Sequence, residues 1–502
     1  MARYKEYDYN QMRLLPVSLQ GQLMPGTLEF AIHELLDSRV DTSIYEGDYN
    51  NDLTGRKAYD PKILLKVVLM AYSRGILSSR RIERACKENV TFMALSCCQE
   101  PDHSTISVFI SSMGDKIVSV FSNILLKCHE EGLLGGTHFS LDGVKLPSNA
   151  SKEWSGTHSE LRKKQKKIEE KVKEAIKRHK EADERADDAL SEKERRERRI
   201  KRLHQRAERI EKFLQETDEK IGSRNKAIKI NVTDPESAYM KTSHGMQQGY
   251  NAQALVDSKE QVILHAEATS QPQDFSQIEN VMPNAKETVK EAGLGEDYFE
   301  GKIVSADSNY HSEKNLKACE EEKLDAYIPD PQFRKRDIRF EGRDRHKPKR
   351  DEKFSLADFT YDAKQDYYIC KDGKVLTLQS ASHKIGESLF KSYRSKERDC
   401  KGCQYSELCF KRKNGLRKSL AIMIGRIGEN YSEKMREKID TLRGRDIYGK
   451  RLGIVEPPFA NIEYHKGMNR FTLRGRKKVD IQWKLYCMVH NIGKICTLAM
   501  AA

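Results

Sequence analysis

The residues between 159 and 226 constrain the fold of this chain more than any other segment. They include no proline, no glycine before Gly222, and 24 basic and 17 acidic residues. Ser191 and Glu194 form a capping box, which predicts that a helix restarts there after a turn near Ala189 to Ser191. The apolar residues that follow have the heptad spacing of a helix packed along one seam: Ile200, Leu203, Ala207, Ile210, Leu214 and Ile221. Residues 159–226 therefore predict a helical-hairpin insertion, which either packs on the rest of the chain or mediates dimerisation.

The positive charge of the chain indicates its class of partner. The 502 residues include 90 Lys and Arg against 76 Asp and Glu, a net charge of +14. Such a charge favours nucleic acid, because each basic side chain placed on a phosphate releases condensed counterions. The alternative is that the charge only keeps a large protein soluble. The hairpin segment holds 24 − 17 = +7 of the total, so half of the excess is no evidence for a DNA-binding groove elsewhere.

Length and composition exclude several classes of protein. A chain of 502 residues predicts roughly three structural units. Its long apolar stretches, such as Ile63 to Tyr72, fall short of the ~20 residues that cross a bilayer, so no membrane span is expected. Residues 1–10 lack the apolar core of a secretory signal, which predicts a cytoplasmic protein. Eleven cysteines, an odd number, indicate reduced thiols rather than a disulfide framework.

Residues 1–135 predict a helical domain that binds DNA. Helical spacing of apolar residues runs from Pro61 to Ser73, from Ser78 to Asn89 and from His103 to Ser112, and Ser78 and Asp102 occupy N-cap positions. The second helix carries three candidate DNA contacts: Arg80, Arg81 and Arg84. Together with the third helix it would form a helix-turn-helix reader. An ordinary helical domain with a solvated basic face is the open alternative.

The remaining segments predict an α/β fold with a mixed sheet. Strand patterns occur at residues 137–144, 249–257, 261–266, 301–307 and 325–328, with helices at 274–292 and 311–321. Asp142 and Asp307 lie near the carboxyl ends of two of these strands, where open α/β sheets place reacting groups. Carboxylate oxygens are the ligands that Mg²⁺ prefers, so these two residues and Glu456 predict a phosphoryl-transfer site.

Residues 331–440 form a second, basic insertion that contains four cysteines: Cys370, Cys400, Cys403 and Cys409. Four thiolates could close a structural Zn²⁺ site, and free or transiently oxidised cysteines are the alternative. No glycine-rich phosphate-binding loop is present, so a nucleotide cofactor is not expected.

Several motifs, taken in order, resemble those of bacterial insertion-sequence transposases of the DDE type. They are Leu141-Asp142-Gly143, Gly249-Tyr250-Asn251 with Gln253, Ala306-Asp307-Ser308-Asn309-Tyr310, Val455-Glu456-Pro457-Pro458-Phe459, the run from Lys466 to Gly475, and His490-Asn491. The helical segment from Pro61 to Ser112 resembles the amino-terminal domain of the same transposases. The resemblance covers nearly the whole chain.

The resemblance implies an RNase H-like catalytic domain, with a mixed sheet and helices on both faces, made of residues 136–158, 227–330 and 441–502. Asp142, Asp307 and Glu456 would be its catalytic triad and would bind Mg²⁺ or Mn²⁺. Tyr448, Arg451 and Glu456 correspond to part of a Tyr, Arg, Glu, Lys signature, whose Lys position is Glu463 here, with Lys466 one turn further on. Pro457 favours a helix start directly after Glu456.

The implied function is a DNA transposase. It would bind the terminal inverted repeats of its element, cut both element ends in double-stranded DNA, and join the freed 3′ hydroxyls to target DNA as a nucleoid-associated homodimer. Arg451, Lys466 and Arg470 would contact phosphates, which supports binding more than it specifies sequence. A transposase-derived DNA-binding protein that has lost catalysis is the alternative function.

Overall fold

The structure is a computed structural model, which describes residues 18–49, 57–184, 190–222, 225–242, 245–343, 353–385, 388–410, 415–426 and 429–499, without the side chains at 182–184, 190, 191 and 426. It divides into two compact units. The first unit comprises Met1–Ile328 and Asp446–Ala502, and the second comprises Pro329–Arg445. The second unit spans the region predicted as the cysteine-containing insertion.

The amino-terminal part of the first unit is helical, as predicted. Its helices are α1 (Leu28–Ser38), α2 (Pro61–Ser73), α3 (Ser79–Glu88), α4 (Val90–Ser96), α5 (His103–Ser112) and α6 (Lys116–Glu130). Asp102 caps α5 by accepting a hydrogen bond from the Thr105 amide. Sequence reasoning missed α4, a helix of seven residues that separates the two helices of the predicted helix-turn-helix. Asn89 starts it by accepting a hydrogen bond from the Thr91 amide.

A mixed sheet lies at the centre of the first unit. Its strands and those of a small ribbon are β1 (His138–Pro147), β2 (Ser155–Gly156), β3 (Ile230–Asn231), β4 (Ala238–Thr242), β5 (Gly245–Asp257), β6 (Ile263–Thr269), β7 (Ile303–Ala306) and β8 (Asp325–Tyr327). The sheet order is β4-β5-β1-β7-β8, with β6 also paired to β5, and β2 pairs with β3. β5 is antiparallel to β1 and β6, whereas β7 is parallel to β1 and β8. The predicted α/β class is confirmed at this level.

The predicted helical hairpin is present as α7 (His158–Glu184) and α8 (Leu190–Glu216). Its apolar seam is one cluster of eight buried residues: Leu161, Ile168, Val172, Ala207, Ile210, Phe213, Ile230 and Val232. Ile200, Leu203 and Leu214 pack against this cluster as the heptad predicts. Ile221 does not, because it lies beyond the end of α8 and is 54% exposed. Leu190 and Ser191, the predicted end of the turn, already lie in α8, whereas Ala189 and the Ser191 side chain of the capping box lie outside the described residues.

The next helices of the first unit are α9 (Gln277–Glu291) and α10 (Glu313–Glu321). The second unit contains the short helices α11 (Phe333–Arg336), α12 (Glu397–Cys400), α13 (Ser406–Cys409) and α14 (Tyr431–Asp440). Its antiparallel sheet has the order β13-β12-β11-β10-β9, with strands β9 (Thr360–Asp362), β10 (Tyr367–Ile369), β11 (Val375–Ile385), β12 (Ser388–Ser395) and β13 (Ser419–Arg426).

Two long helices follow, α15 (Leu442–Ala460) and α16 (Arg476–Leu498). The expected helix start at Pro457 is wrong, because Pro457 and Pro458 both lie inside α15. Pro457 lacks the amide that would bond to the Gly453 carbonyl, and the Gln261 side chain donates to that carbonyl instead, at 3.4 Å. A π-helical turn, Asn461–His465, follows directly.

Among the described residues, no single helix is long and apolar enough to cross a membrane, although the bent pair His103–Ser112 and Lys116–Glu130 passes on length and composition.

Candidate active site

Parallel pairing of β1 and β7 brings Asp142 and Asp307 together. The last pair in register is Leu141 with Ala306, so Asp142 and Asp307 are the next residues along the two neighbouring chain segments. Asp307 directly follows the end of β7, as predicted. The expected position of Asp142 near the end of its strand is wrong, because β1 continues to Pro147 through its pairing with β5. The two carboxylates, 165 positions apart in the chain, are therefore neighbours where the pairing of β1 with β7 stops. Both side chains are half-buried. Convergence of these two acids is the part of the predicted site that the fold produces directly.

The environment of Asp307 disfavours its charged form. Burial raises the pKa of Asp307, and the negative charge of Asp142 raises it further. Hydrogen bonds oppose this effect: the Asn309 amide donates to Oδ1 at 2.8 Å, and the Asn309 side chain donates to Oδ2 at 2.9 Å. Two like charges on adjacent strands repel each other, so this site gains stability from any cation placed between them.

Arg451 of α15 supplies such a cation. Its Nη1 lies 2.8 Å from Asp142 Oδ2, and the residue is only 5% exposed. The guanidinium also lies over the Tyr448 ring, 5.9 Å from its centroid. Its buried Nε has no hydrogen-bond partner in the described structure. The structure thus places Arg451, predicted as a phosphate contact, on the carboxylate pair.

A buried polar network supports the β1 side of the site, and Asp274 is at its centre. Asp274 is 6% exposed and accepts hydrogen bonds from Asn251 Nδ2 at 2.6 Å, Gln253 Nε2 at 3.2 Å and Lys145 Nζ at 3.0 Å. The Tyr310 hydroxyl donates to Gln253 Oε1. Asp274 also raises the pKa of Asp307, although less than burial and Asp142 do.

This network explains two of the sequence motifs. A Cβ added at Gly143 would lie 2.0 Å from Gln253 Nε2 and 2.8 Å from Asn251 Oδ1, so only glycine leaves room for them. Asn251 and Gln253 are fully buried and alternate along β5, and polar residues at every second buried position are the signal that could have indicated the network. Asp274 lies in the loop before α9, which starts at Gln277 and not at residue 274 as predicted, and sequence reasoning assigned Asp274 no role in the site.

The structure does not bring Glu456 to the aspartate pair. Glu456 is exposed, and on an α-helix it projects about 140° away from Arg451, five residues earlier. Among the described residues, no three His, Cys, Asp or Glu side chains form a group that could hold a metal ion. The carboxylate triad therefore stays a prediction, with two of its three members adjacent.

The other predicted DNA contacts lie in three places. Arg80, Arg81 and Arg84 are exposed on α3, and Arg84 pairs with Glu88 at 2.8 Å. Arg470 is exposed and donates to Asn149 Oδ1 at 3.1 Å. Lys466 is half-buried, and burial lowers its pKa.

Glu463, which occupies the Lys position of the signature, is also half-buried, and burial raises its pKa.

The four predicted zinc ligands lie together in the second unit. Cys370, Cys400, Cys403 and Cys409 all line one cavity of about 30 Å³. Burial raises the pKa of Cys409, the Lys418 ammonium lowers it, and the charges of the other three cysteines raise it. The sequence spacing alone left this convergence open.

Two family models match the chain. One is described as a transposase DDE domain and matches residues 369–496. The other is described as a transposase domain (DUF772) and matches residues 17–112. The first match includes Glu456 and the four cysteines, whereas Asp142 and Asp307 lie outside it. Both matches confirm the resemblance to insertion-sequence transposases of the DDE type. A comparison with curated proteins finds no match.

Proposed function

We propose that this chain, which carries transposase domains at residues 17–112 and 369–496, is the DDE transposase of an insertion sequence. It binds the terminal inverted repeats of the element, cuts the DNA there and transfers the freed strands to target DNA. The observation that carries the proposal is the adjacency of Asp142, within β1, and Asp307, directly after β7. The mixed sheet that holds them supports an RNase H-like domain.

The residues present fit a divalent cation. Asp142 and Asp307 offer hard carboxylate oxygens. Burial and then the charge of Asp142 raise the pKa of Asp307, and bound positive charge offsets both effects. Mg²⁺ or Mn²⁺ held by these residues and Glu456 would lower the pKa of an attacking water and neutralise charge on the phosphate.

The reaction has two steps, a hydrolysis at the element end, which leaves a 5′ phosphate on the other strand segment, and a transesterification into target DNA. Water attacks phosphorus at the element end, the bond to the 3′ oxygen breaks, and a 3′ hydroxyl is released. That hydroxyl then attacks a target phosphodiester and displaces its 3′ oxygen, so no ATP is consumed. Asp142 and Asp307 define where the scissile phosphate sits, and Asp274 with Gln253 keeps β1 and β5 in place beneath it.

Catalysis requires a rearrangement of α15 relative to the described structure. Arg451 forms an ion pair with the carboxylate of Asp142, and Glu456 projects from a different side of the helix. A rotation or shift of this helix when DNA and cation bind would release Arg451 to a phosphate and bring Glu456 towards the pair. The two internal prolines at positions 457 and 458 remove backbone hydrogen bonds there, which makes this end of α15 easier to reshape.

The function is tested with purified protein and labelled DNA that spans both flanks of its own gene, with Mg²⁺, with Mn²⁺ and without either. We expect metal-dependent breaks at inverted repeats, mapped at nucleotide resolution. Asp142→Asn, which removes charge with little change in volume, should abolish the breaks. Asp218→Asn, at an exposed position outside the site, is the matched control and should cut like the wild type.

The placement of Glu456 away from the aspartates favours a second candidate function, a transposase-derived DNA-binding protein without catalysis. In that case the same assay would show tight retention of the repeats and no breaks in either metal. Breaks that persist unchanged in Asp142→Asn would contradict both the assigned site and the mechanism.

A further inference from the structure

The second unit brings cysteines from three separate segments to one point. Cys370 directly follows β10, Cys400 ends α12, and Cys409 ends α13, with Cys403 in the loop between these two helices. All four line the same cavity. Four thiol groups around one cavity are a donor set that suits a single metal ion.

Both halves of the cluster are formed by tight backbone turns. After Cys370, the Gly373 amide donates to the Cys370 carbonyl at 2.8 Å, and Gly373 adopts a positive φ of 72°. After Cys400, the Cys403 amide donates to the Cys400 carbonyl at 3.4 Å, and Gly402 adopts a φ of 76°. Glycine tolerates these values, so the two turns hold the cysteines in place without strain.

The surroundings of the cavity suit bound thiolates. The Ser395 hydroxyl lies 3.0 Å from Cys400 Sγ, within hydrogen-bond distance. Lys418 also lines the cavity, where its Nζ donates to the Cys409 carbonyl at 2.8 Å. One divalent ion and four thiolates carry a net charge of −2, which this ammonium partly offsets.

The hydrophobic core beside the cluster is small. The buried cluster next to the cysteines consists of Phe359, Tyr368, Leu376, Tyr393 and Leu420, and Cys370 and Cys409 pack against it. A core of five buried side chains supports little structure on its own, and small folds often add a metal cross-link. A bound ion here would tie β10 to α12 and α13.

We propose that Cys370, Cys400, Cys403 and Cys409 bind one structural Zn²⁺ ion. Four sulfur ligands close a tetrahedral site with no position left for water, which is typical of structural zinc. Each thiol loses its proton to solvent as its sulfur binds, and no oxidation takes place. The described side chains do not form a group that could hold a metal ion, so the proposal requires the four cysteine side chains to change their rotamers when zinc binds.

The first test measures the metal content of the full chain, expressed with zinc in the medium and purified without chelators or a histidine tag. Elemental analysis should find one zinc per chain. Titration with p-hydroxymercuribenzoate, which reacts with thiols, should release that zinc to a chromogenic chelator. Cys403→Ser and Cys409→Ser should lose the metal, whereas Cys97→Ser, at an exposed cysteine of the first unit, should retain it.

A second measurement keeps the proposal testable if the serine variants fail to fold. Wild-type protein exchanged with Co²⁺ should show the intense sulfur-to-cobalt charge-transfer absorption of a thiolate site. Zinc-free wild-type protein that also gives no such absorption would overturn the proposal. Disulfides between these cysteines in the freshly purified protein, found by mass spectrometry of unreduced peptides, would overturn it as well. Neither outcome depends on DNA cleavage, so this proposal can fail while the proposed function stands.

Discussion

At the scale of single residues, the candidate site is a balance of charges. Asp142 and Asp307 repel each other across adjacent strands, and Arg451 offsets this by an ion pair at 2.8 Å while 94% of its side chain is shielded from solvent. A divalent cation would act on the same two carboxylates. Arg451 and the cation therefore compete for the same two carboxylates. Each should stabilise the folded protein more strongly when the other is absent.

We predict that Arg451→Gln lowers the stability of the metal-free protein by about 1–3 kcal/mol, because a partly buried carboxylate loses its partner. Mn²⁺ should then raise the melting temperature of this variant more than that of the wild type. Differential scanning calorimetry with and without Mn²⁺ measures both effects.

Two further variants separate charge from packing. Arg451→Lys keeps the positive charge and should respond to Mn²⁺ like the wild type. Arg84→Gln breaks only an exposed helical pair with Glu88 and should change the stability by less than about 0.5 kcal/mol. An equal response to Mn²⁺ in Arg451→Gln and the wild type would show that no cation binds at Asp142.

At the scale of elements, α16 joins the sheet through side chains as well as through apolar packing. Asn491 Oδ1 accepts from the Ile263 amide at 2.9 Å, and its Nδ2 donates to the Ile263 carbonyl at 2.8 Å. Beside it, His490 Nε2 donates to the Gln261 carbonyl at 2.9 Å. His490 is 3% exposed, and its Nδ1 has no hydrogen-bond partner among the described residues.

We predict that His490 makes the first unit sensitive to mild acid. Burial lowers the pKa of His490 from 6.5 to about 4, and the charges of Lys494 and Lys466 add to this effect. Between pH 6.5 and pH 4, His490 is protonated in the unfolded chain but stays neutral in the folded chain. The free energy of unfolding is therefore highest above pH 6.5 and falls as the pH drops towards 4. The loss amounts to about 3 kcal/mol over this window.

Urea unfolding between pH 4 and pH 7.5 measures this slope. His490→Gln keeps a donor for the Gln261 carbonyl but cannot be protonated, so its stability should depend less on pH. His129→Gln, at an exposed position of α6, should keep the wild-type slope. Equal slopes in His490→Gln and the wild type would contradict the prediction.

The same elements show how far sequence reasoning reaches. The helix Pro61–Ser73 and the strands around Asp142 and Asp307 are predicted from local runs of apolar residues, and most residues of those runs are buried. Helix α15 is not predicted in this way, because Pro457 is accommodated through a long-range contact from Gln261 to the Gly453 carbonyl. The ion pair between Arg451 and Asp142 likewise joins residues 309 positions apart, and no local pattern encodes it.

At the scale of the whole molecule, the distribution of charge offers two candidate surfaces for the DNA of the proposed function. The hairpin α7–α8 and its flanks hold half of the net charge of +14, and this hairpin has its own apolar cluster. Its exposed lysines cover a surface that the proposed function does not require. The exposed arginines of α3 are fewer, but they lie within the matched transposase domain at residues 17–112.

We therefore predict that the arginines of α3 contact DNA phosphates and that the hairpin lysines do not. Each phosphate contact contributes about −0.9 to the slope of log K against log salt concentration. The combined change of Arg80, Arg81 and Arg84 to Gln should reduce the magnitude of that slope by about 2 to 3. A reduction by about 3 requires all three arginines to contact phosphates, so Arg84 would have to leave its ion pair with Glu88 when DNA binds.

Fluorescence anisotropy of a labelled duplex from the element end, titrated over a series of KCl concentrations, gives these slopes. The matched control changes three exposed hairpin lysines, Lys163, Lys167 and Lys171, to Gln and removes the same charge from the chain. If net charge alone attracted DNA, the slope of log K against log salt concentration would decrease in magnitude by the same amount in the two triple variants. A larger loss in the hairpin variant would move the DNA-binding surface to α7, whereas a loss confined to the α3 variant would assign binding to the amino-terminal domain.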